Sequence, residues 1–225
     1  MATLSVVATP IGNLGDITLR ALETLRGADV IVCEDTRVSA KLLAKYDIKK
    51  PLLIFHARSG KLATDRILAM LGEGRRVALI TDAGTPGISD PGSELVALVR
   101  RRLPSVTIEA IPGPSALSAA LSVAGVHSHE FVFLGFLPHK KGRQTLFKEI
   151  ATSERAVVFY ESPHRIEKAL ASLSEVLREE QTVTVLRELT KIHESVVQGT
   201  ASEVADHFSK NPQEVRGECV VIVSR

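Results

Sequence analysis

Ile80-Thr-Asp-Ala-Gly-Thr-Pro-Gly-Ile-Ser-Asp-Pro-Gly92 is the stretch on which the fold assignment turns. The apolar run Val77-Ala-Leu-Ile80 enters it and reads as a short buried strand. Glycines 84, 87 and 92 and prolines 86 and 91 then exclude regular structure and call for tight turns. At the far end Asp90 is placed to cap a helix, and Pro91 suits that helix's first position. Strand, rigid polar loop and helix N-terminus therefore follow one another directly. In open α/β sheets such loops line the crevice at the carboxyl ends of the strands, where ligands bind. A plain connection would not need two Pro-Gly pairs and two carboxylates.

The same rhythm extends on both sides. Leu4–Ala8, Asp29–Cys33, Leu52–Phe55 and Val106–Ala110 read as further strands, with amphipathic helical stretches between them. Asp16 is the expected cap of the first helix, which carries Leu19, Leu22 and Leu25 on one face. Alternating strands and helices predict a parallel sheet covered on both faces. One consequence follows for the site. The segments Thr9–Gly15, Glu34–Arg37, His56–Gly60, Asp82–Gly92 and Pro112–Ser115 must emerge on a single edge of that sheet.

After about Val126 the pattern changes. Phe131–Gly135, Ala156–Tyr160, Val183–Arg187, Ser195–Gly199 and Cys219–Val223 read as strands with fewer crossovers, the third and fourth as a hairpin or a strand pair. The expectation is two α/β domains, residues 1–125 with a mainly parallel sheet and residues 126–225 with a mixed one. Ser162 and Pro163 make a cap and first turn for a helix through Ile166, Ala169, Leu170 and Leu173.

With 225 residues, 44% hydrophobic and 24% charged, the chain has the composition of a globular protein with ample core. A net charge of +2 does not announce a nucleic-acid binder, although a local basic patch would suffice for one. Cys33 and Cys219 sit in apolar runs, as buried reduced thiols of a cytoplasmic protein do. No Cys/His set has zinc-ligand spacing, so no metal is expected. The uncharged run from Ala110 to His129 is broken by Pro112 and Pro114, which argues for a turn and helix rather than a membrane span. The first loop, Thr9-Pro-Ile-Gly-Asn-Leu-Gly15, lacks the G-x-G-x-x-G of a dinucleotide site, and no phosphate loop or G-x-S-x-G elbow occurs elsewhere.

Five motifs then occur in order: Val7–Asn13, Cys33-Glu-Asp-Thr-Arg37, Ile80–Gly92, Ile111-Pro-Gly-Pro-Ser-Ala116 and Phe159-Tyr-Glu-Ser-Pro-His-Arg165. Together they resemble the tetrapyrrole-methylase superfamily over essentially the whole chain, and within it the branch acting on ribosomal RNA. The resemblance implies S-adenosylmethionine held in an interdomain cleft, usually in a homodimer. It further implies 2′-O-methylation of a cytidine in small-subunit ribosomal RNA, free or within the assembled subunit. The superfamily's Gly-Asp-Pro is here Gly84-Thr85-Pro86, so Thr85 stands in the acid's place. Carried over by position, the cofactor residues are Pro10, Gly12, Asp82, Gly84, Thr85, Ile88, Ser89, Ser115, Ala116 and Tyr160. The glycine-rich first loop of the porphyrin and corrin enzymes is missing, which favours RNA over a tetrapyrrole. RNA-type relatives also extend into a small C-terminal helical segment beyond the last strand read here. The competing expectations are a tetrapyrrole or diphthine-precursor methylase and a non-catalytic RNA-binding or assembly module.

Glu34, Asp35 and Glu161 are the carboxylates available to deprotonate or orient a hydroxyl. Equally, Glu34 and Asp35 fit a helix cap partnered by Arg37, and Glu161 fits a structural pairing with Arg165. RNA contacts are expected from Arg37, His56, Arg58, Lys140, Lys141, Arg143 and Arg165, with Phe136 beside the basic patch. Arg100, Arg101 and Arg102 read instead as a solvated helix end. Aromatic content of 4% suits one flipped nucleotide better than a long single-stranded track.

Overall fold

The computed structural model describes residues 1–56, 58–127 and 129–225. The chain divides into two compact units, Met1–Ser115 and Ala116–Arg225. In the first, β1 (Thr3–Val7), β2 (Val30–Cys33), β3 (Leu52–Ile54), β4 (Arg76–Leu79) and β5 (Thr107–Ile111) form one sheet in the order β3-β2-β4-β1-β5. Every neighbouring pair in it is parallel. Successive strand residues point to opposite faces, so each strand serves two cores. Ile31 and Cys33 join Leu22 and Leu25 of α1 (Leu19–Gly27) and Leu42 and Leu43 of α2 (Thr36–Lys45). Val30 and Val32 join Ile67 and Leu71 of α3 (Lys61–Gly72) and Leu95 and Val99 of α4 (Gly92–Arg102). The expected doubly covered parallel sheet is what forms.

Two helix starts differ from their sequence expectation. Asp16 closes a short 3-10 turn capped by Asn13, and Thr18 caps α1 instead, accepting from the Ala21 N–H at 3.1 Å. The cause is Ile17, which is buried and extended, so the helix cannot begin until the chain has delivered it to the core. At α4, Pro91 occupies the cap position rather than the first turn, and makes no side-chain cap. Asp90 still accepts the Gly92 N–H at 2.7 Å, and also the Gly87 N–H, which folds the loop back on itself.

The second unit opens with α5 (Ala116–Val123), which packs on its last strand, β10 (Cys219–Ser224). The unit thus begins ahead of the division expected at 125/126. It continues through β6 (Phe131–Phe136), α6 (Arg143–Thr152), β7 (Ala156–Glu161), α7 (Pro163–Ser174), β8 (Thr182–Arg187), β9 (Ser195–Gly199) and α8 (Ala201–Lys210). Its sheet order is β6-β7-β10-β8-β9. The β6–β7 pair is parallel and the other three pairs are antiparallel, the mixed sheet expected. Phe147, Ile166, Leu170 and Phe208 from α6, α7 and α8 pack on Val157, Phe159, Val221 and Val183 of the sheet. Cys33 and Cys219 are both free and buried, and burial pushes the Cys219 thiol up to about 12. Among the described residues no helix is long and apolar enough to cross a membrane.

Candidate functional site

Because the first sheet is parallel, the loops after its strands share one edge, and hydrogen bonds sew them together. Thr9, after β1, exchanges both backbone bonds with Gly84, after β4, at 2.9 and 3.1 Å. Its hydroxyl donates to the Thr81 carbonyl at 3.1 Å. Thr85 donates its hydroxyl to the Pro114 carbonyl, after β5, at 3.0 Å. Gly84 has φ +83°, and a Cβ there would lie 3.3 Å from Ile11 and 3.7 Å from the Pro114 oxygen. A side chain at 84 is therefore both strained and crowded, and glycine is the residue that lets three loops meet.

The loop after β2 joins from the other side. Thr81 donates to a Glu34 oxygen at 3.0 Å, and the Asp35 N–H donates to Asp82 at 3.1 Å. Asp35 caps α2, accepting from the Arg37 N–H at 2.8 Å, while the Arg37 guanidinium Nε lies 3.0 and 3.1 Å from its two oxygens. Burial pushes the Glu34 carboxyl above its ordinary range. The Thr81 hydrogen bond opposes that shift, and repulsion from Asp82 and Asp90 adds to it. Burial likewise raises Asp82. Asp35 goes the other way, down to about 2, because the Arg37 side chain and backbone both donate to it. A carboxylate with raised proton affinity thus stands beside one whose affinity is lowered.

The remaining residues of this edge vary in exposure. Pro10 is buried, Ser115 half-buried, and Gly12, Ile88 and Ser89 are exposed. Ser89 holds φ +70°, a conformation that costs a non-glycine residue of order 1 kcal/mol or more and that persists only where the surroundings impose it. Here the imposing contacts are the Asp90 bonds to Gly87 and Gly92 on either side. His56 is tied into its own turn by bonds with Ser59 and Arg58, and Arg58 is exposed. Thr9 and Thr81 lie within the quoted motifs, but sequence reading gave neither a role. Only the pairing of loops distant in the chain reveals them.

In the second unit Glu161 is buried, with its oxygens 2.7 Å from Arg143 and 2.7 Å from Arg165, and it accepts the Ser162 N–H at 2.9 Å. The two arginines also grip the basic loop, Arg165 donating to the Leu137 carbonyl at 3.1 Å and Arg143 to that of Pro138 at 3.2 Å. Arg143 and Arg165, expected to meet substrate, are thus engaged within the fold, and Glu161 takes the structural pairing. Lys140 and Lys141 are exposed on the loop these arginines hold. Ala116 opens α5 and is half-buried. Tyr160 is half-buried, its phenol pushed up by burial against a bond from the Leu117 backbone. Arg102 at the end of α4 lies 3.4 Å from Asp65, as a solvated helix terminus does.

A family model described as tetrapyrrole (corrin/porphyrin) methylases matches residues 3–205. A Thermotoga maritima protein named ribosomal RNA small subunit methyltransferase I is 45% identical over 224 residues, covering 100% of this chain and 99% of that protein. A Synechocystis protein of the same name is also 45% identical, covering 99% of this chain and 79% of its own length. Among solved structures, the methyltransferase CobJ superposes with a TM-score of 0.73 at 20% identity, covering 100% of this chain and 95% of that one. A Thermus thermophilus uroporphyrin-III C-methyltransferase complexed with S-adenosyl homocysteine gives 0.68 at 20%, covering 99% and 97%. At such identity these two establish the fold.

Two outcomes follow from the geometry. Replacing Glu161 by Ala leaves two mostly buried guanidinium groups without their partner and should cost about 3–5 kcal/mol, read as a lower urea midpoint. The second concerns Asp35, whose folded value of about 2 lies below its ordinary 3.8. Its contribution is present above the ordinary value and is lost as pH falls through the folded one. Arg37→Ala should raise the Asp35 pKa in an NMR carboxyl titration. The stability gap between wild type and variant should then close as pH falls from about 4 to about 2.

Proposed function

The chain belongs to the tetrapyrrole (corrin/porphyrin) methylases, and from that premise we propose that it transfers the methyl group of S-adenosylmethionine to the 2′-hydroxyl of a cytidine in small-subunit ribosomal RNA. The observation that carries the substrate is 45% identity across the whole chain to proteins named for ribosomal RNA, against 20% to the corrin and porphyrin enzymes. We propose the cytoplasm as its place of work, where small subunits are found, and a homodimer as its working form.

The loop edge suits such a donor chemically. Burial raises the Glu34 carboxyl and repulsion from Asp82 and Asp90 adds to that shift, so a cationic sulfonium placed near Glu34 offsets part of the repulsion. Pro10, Gly12, Asp82, Gly84, Thr85, Ile88, Ser89 and Ser115 are the residues that would hold it. When bound there, S-adenosylmethionine supplies an electrophilic methyl carbon.

What the chain itself must do is fix geometry. Methyl transfer to a hydroxyl is an in-line displacement, and holding oxygen and carbon aligned is worth ~7–11 kcal/mol. A general base adds about 10²–10⁴-fold, roughly 3–5 kcal/mol. Positioning is the larger contribution, which explains why loop-to-loop bonds dominate this edge. For the proton, Glu34 is the fitting acceptor of the three candidates. Asp35 is held near 2 by Arg37, and Glu161 is buried between two arginines. Lys140 and Lys141 meet phosphate, where cations position an RNA without reading its sequence.

Labelled methyl groups should enter purified small subunits and not free tetrapyrrole; label in the tetrapyrrole alone would overturn the reading. Thr85→Arg should remain folded, bind no S-adenosylmethionine in calorimetry and transfer no label. Glu34→Gln should lower kcat by about 10²–10⁴-fold; unchanged kcat would remove Glu34 from the mechanism.

A further inference from the structure

Strand β6 contains an irregularity with a specific result. Phe133 pairs with Val158 of β7, and Phe136 pairs with Tyr160, so three steps along β6 match two along β7. The extra residue falls at Leu134–Gly135, where Gly135 has φ +62°. Side chains alternate between faces along a regular strand, so residues three apart point to opposite sides. The bulge cancels that alternation and returns Phe136 to the face of Phe133. Both rings then meet Tyr160 edge-on, Phe133 at 5.0 Å and 69°, Phe136 at 5.3 Å and 62°. This is the face away from α6, α7 and α8, because Val132 and Leu134 of β6 pack on the core that those helices share with the sheet.

Burial does not account for the arrangement. Phe136 is 59% exposed, although a phenylalanine turned inward would bury most of its surface. Its ring is nevertheless braced from one side by the half-buried Tyr160 ring. The chain runs from Phe136 straight into the loop that Arg143 and Arg165 fasten through the Pro138 and Leu137 carbonyls. Exposed Lys140 and Lys141 stand on that loop. An exposed aromatic ring leading into a loop that carries exposed cations is the pairing that binds unstacked nucleotides: the ring takes the base and the cations take phosphate.

We propose that Phe136 is the stacking platform for the nucleobase of the target nucleotide, with Lys140 and Lys141 holding phosphate beside it. The proposal rests on the ribosomal-RNA reading and assigns it a recognition residue. Stacking is indifferent to which base presents its face, so Phe136 supplies affinity and orientation, and base identity must be read elsewhere.

The test compares Phe136→Ala, Phe136→Leu and Phe136→Trp with wild type, using methyl transfer to purified small subunits and calorimetry with S-adenosylmethionine. Phe136→Ala should raise KM for the RNA substrate by about ten- to a hundredfold, the size of one base–aromatic stack. Cofactor affinity and the thermal midpoint should hold. Phe136→Trp should restore KM and Phe136→Leu should not, since an aliphatic side chain fills space without a π-face. The dependence of binding on salt should stay that of wild type, whereas neutralising Lys140 and Lys141 should flatten it. Unchanged KM in Phe136→Ala, or equal rescue by Leu and Trp, would overturn the platform while leaving RNA methylation standing. A wild type that labels no RNA would instead defeat the underlying reading. Conversion from dimer to monomer by Phe136→Ala in sedimentation would assign the ring to a contact between copies and overturn the platform.

Discussion

Five strands running the same way must release all their following loops at one end, and the first unit depends on that constraint. Nothing else would bring Thr9, Glu34, Asp82, Gly84 and Pro114 into reach of one another across so much intervening chain. The parallel sheet supplies the approach, and the loop bonds supply the register. The Thr9–Gly84 exchange is a two-bond rung of antiparallel ladder built outside any strand, and it fixes where the loop after β4 starts. Asp90 fixes where it ends by closing on Gly87 and Gly92. Ser89 is trapped between those two closures, which is why it tolerates a backbone angle that glycine would hold at less cost.

The second unit solves a different problem by charge. Glu161 lies at the end of β7, and its carboxylate is surrounded by two guanidinium groups and an amide. Such a group is costly to bury unless its lone pairs are filled, and here they are. The arginines have donors to spare after satisfying Glu161, and those go to the backbone at the start of the basic loop. One buried acid thereby orients a segment that is otherwise exposed.

Most of the fold was legible because strands buried on both sides read as short continuous apolar runs bounded by turn residues. The five strands of the first sheet and the hairpin of β8 and β9 fell within a residue or two of their expected positions. What escaped was decided by tertiary demands on single residues. The buried side chain of Ile17 delayed a helix start, and Pro91 sat one position earlier than its fixed φ alone suggested. In the site, glycine and proline spacing marked the loop after β4 correctly because those residues act through local backbone geometry. The Glu161–Arg165 pairing was one of the two readings the sequence offered, whereas the fate of Arg143 could not be read the same way. A cation next to lysines resembles a phosphate contact until the structure reveals a buried carboxylate as its partner. Thr9 and Thr81 belong with it, since their importance lies in bonds spanning about 70 and 47 residues of chain.

The bulge in β6 gives the number of residues in that strand a meaning of its own. Most surface segments absorb a gained or lost residue by looping out. Here a single deletion at Gly135 would restore regular alternation, rotate the ring of position 136 to the other side of the sheet and leave composition almost untouched. The count of residues in β6, and not their identity alone, therefore decides which side of the sheet the ring at 136 occupies.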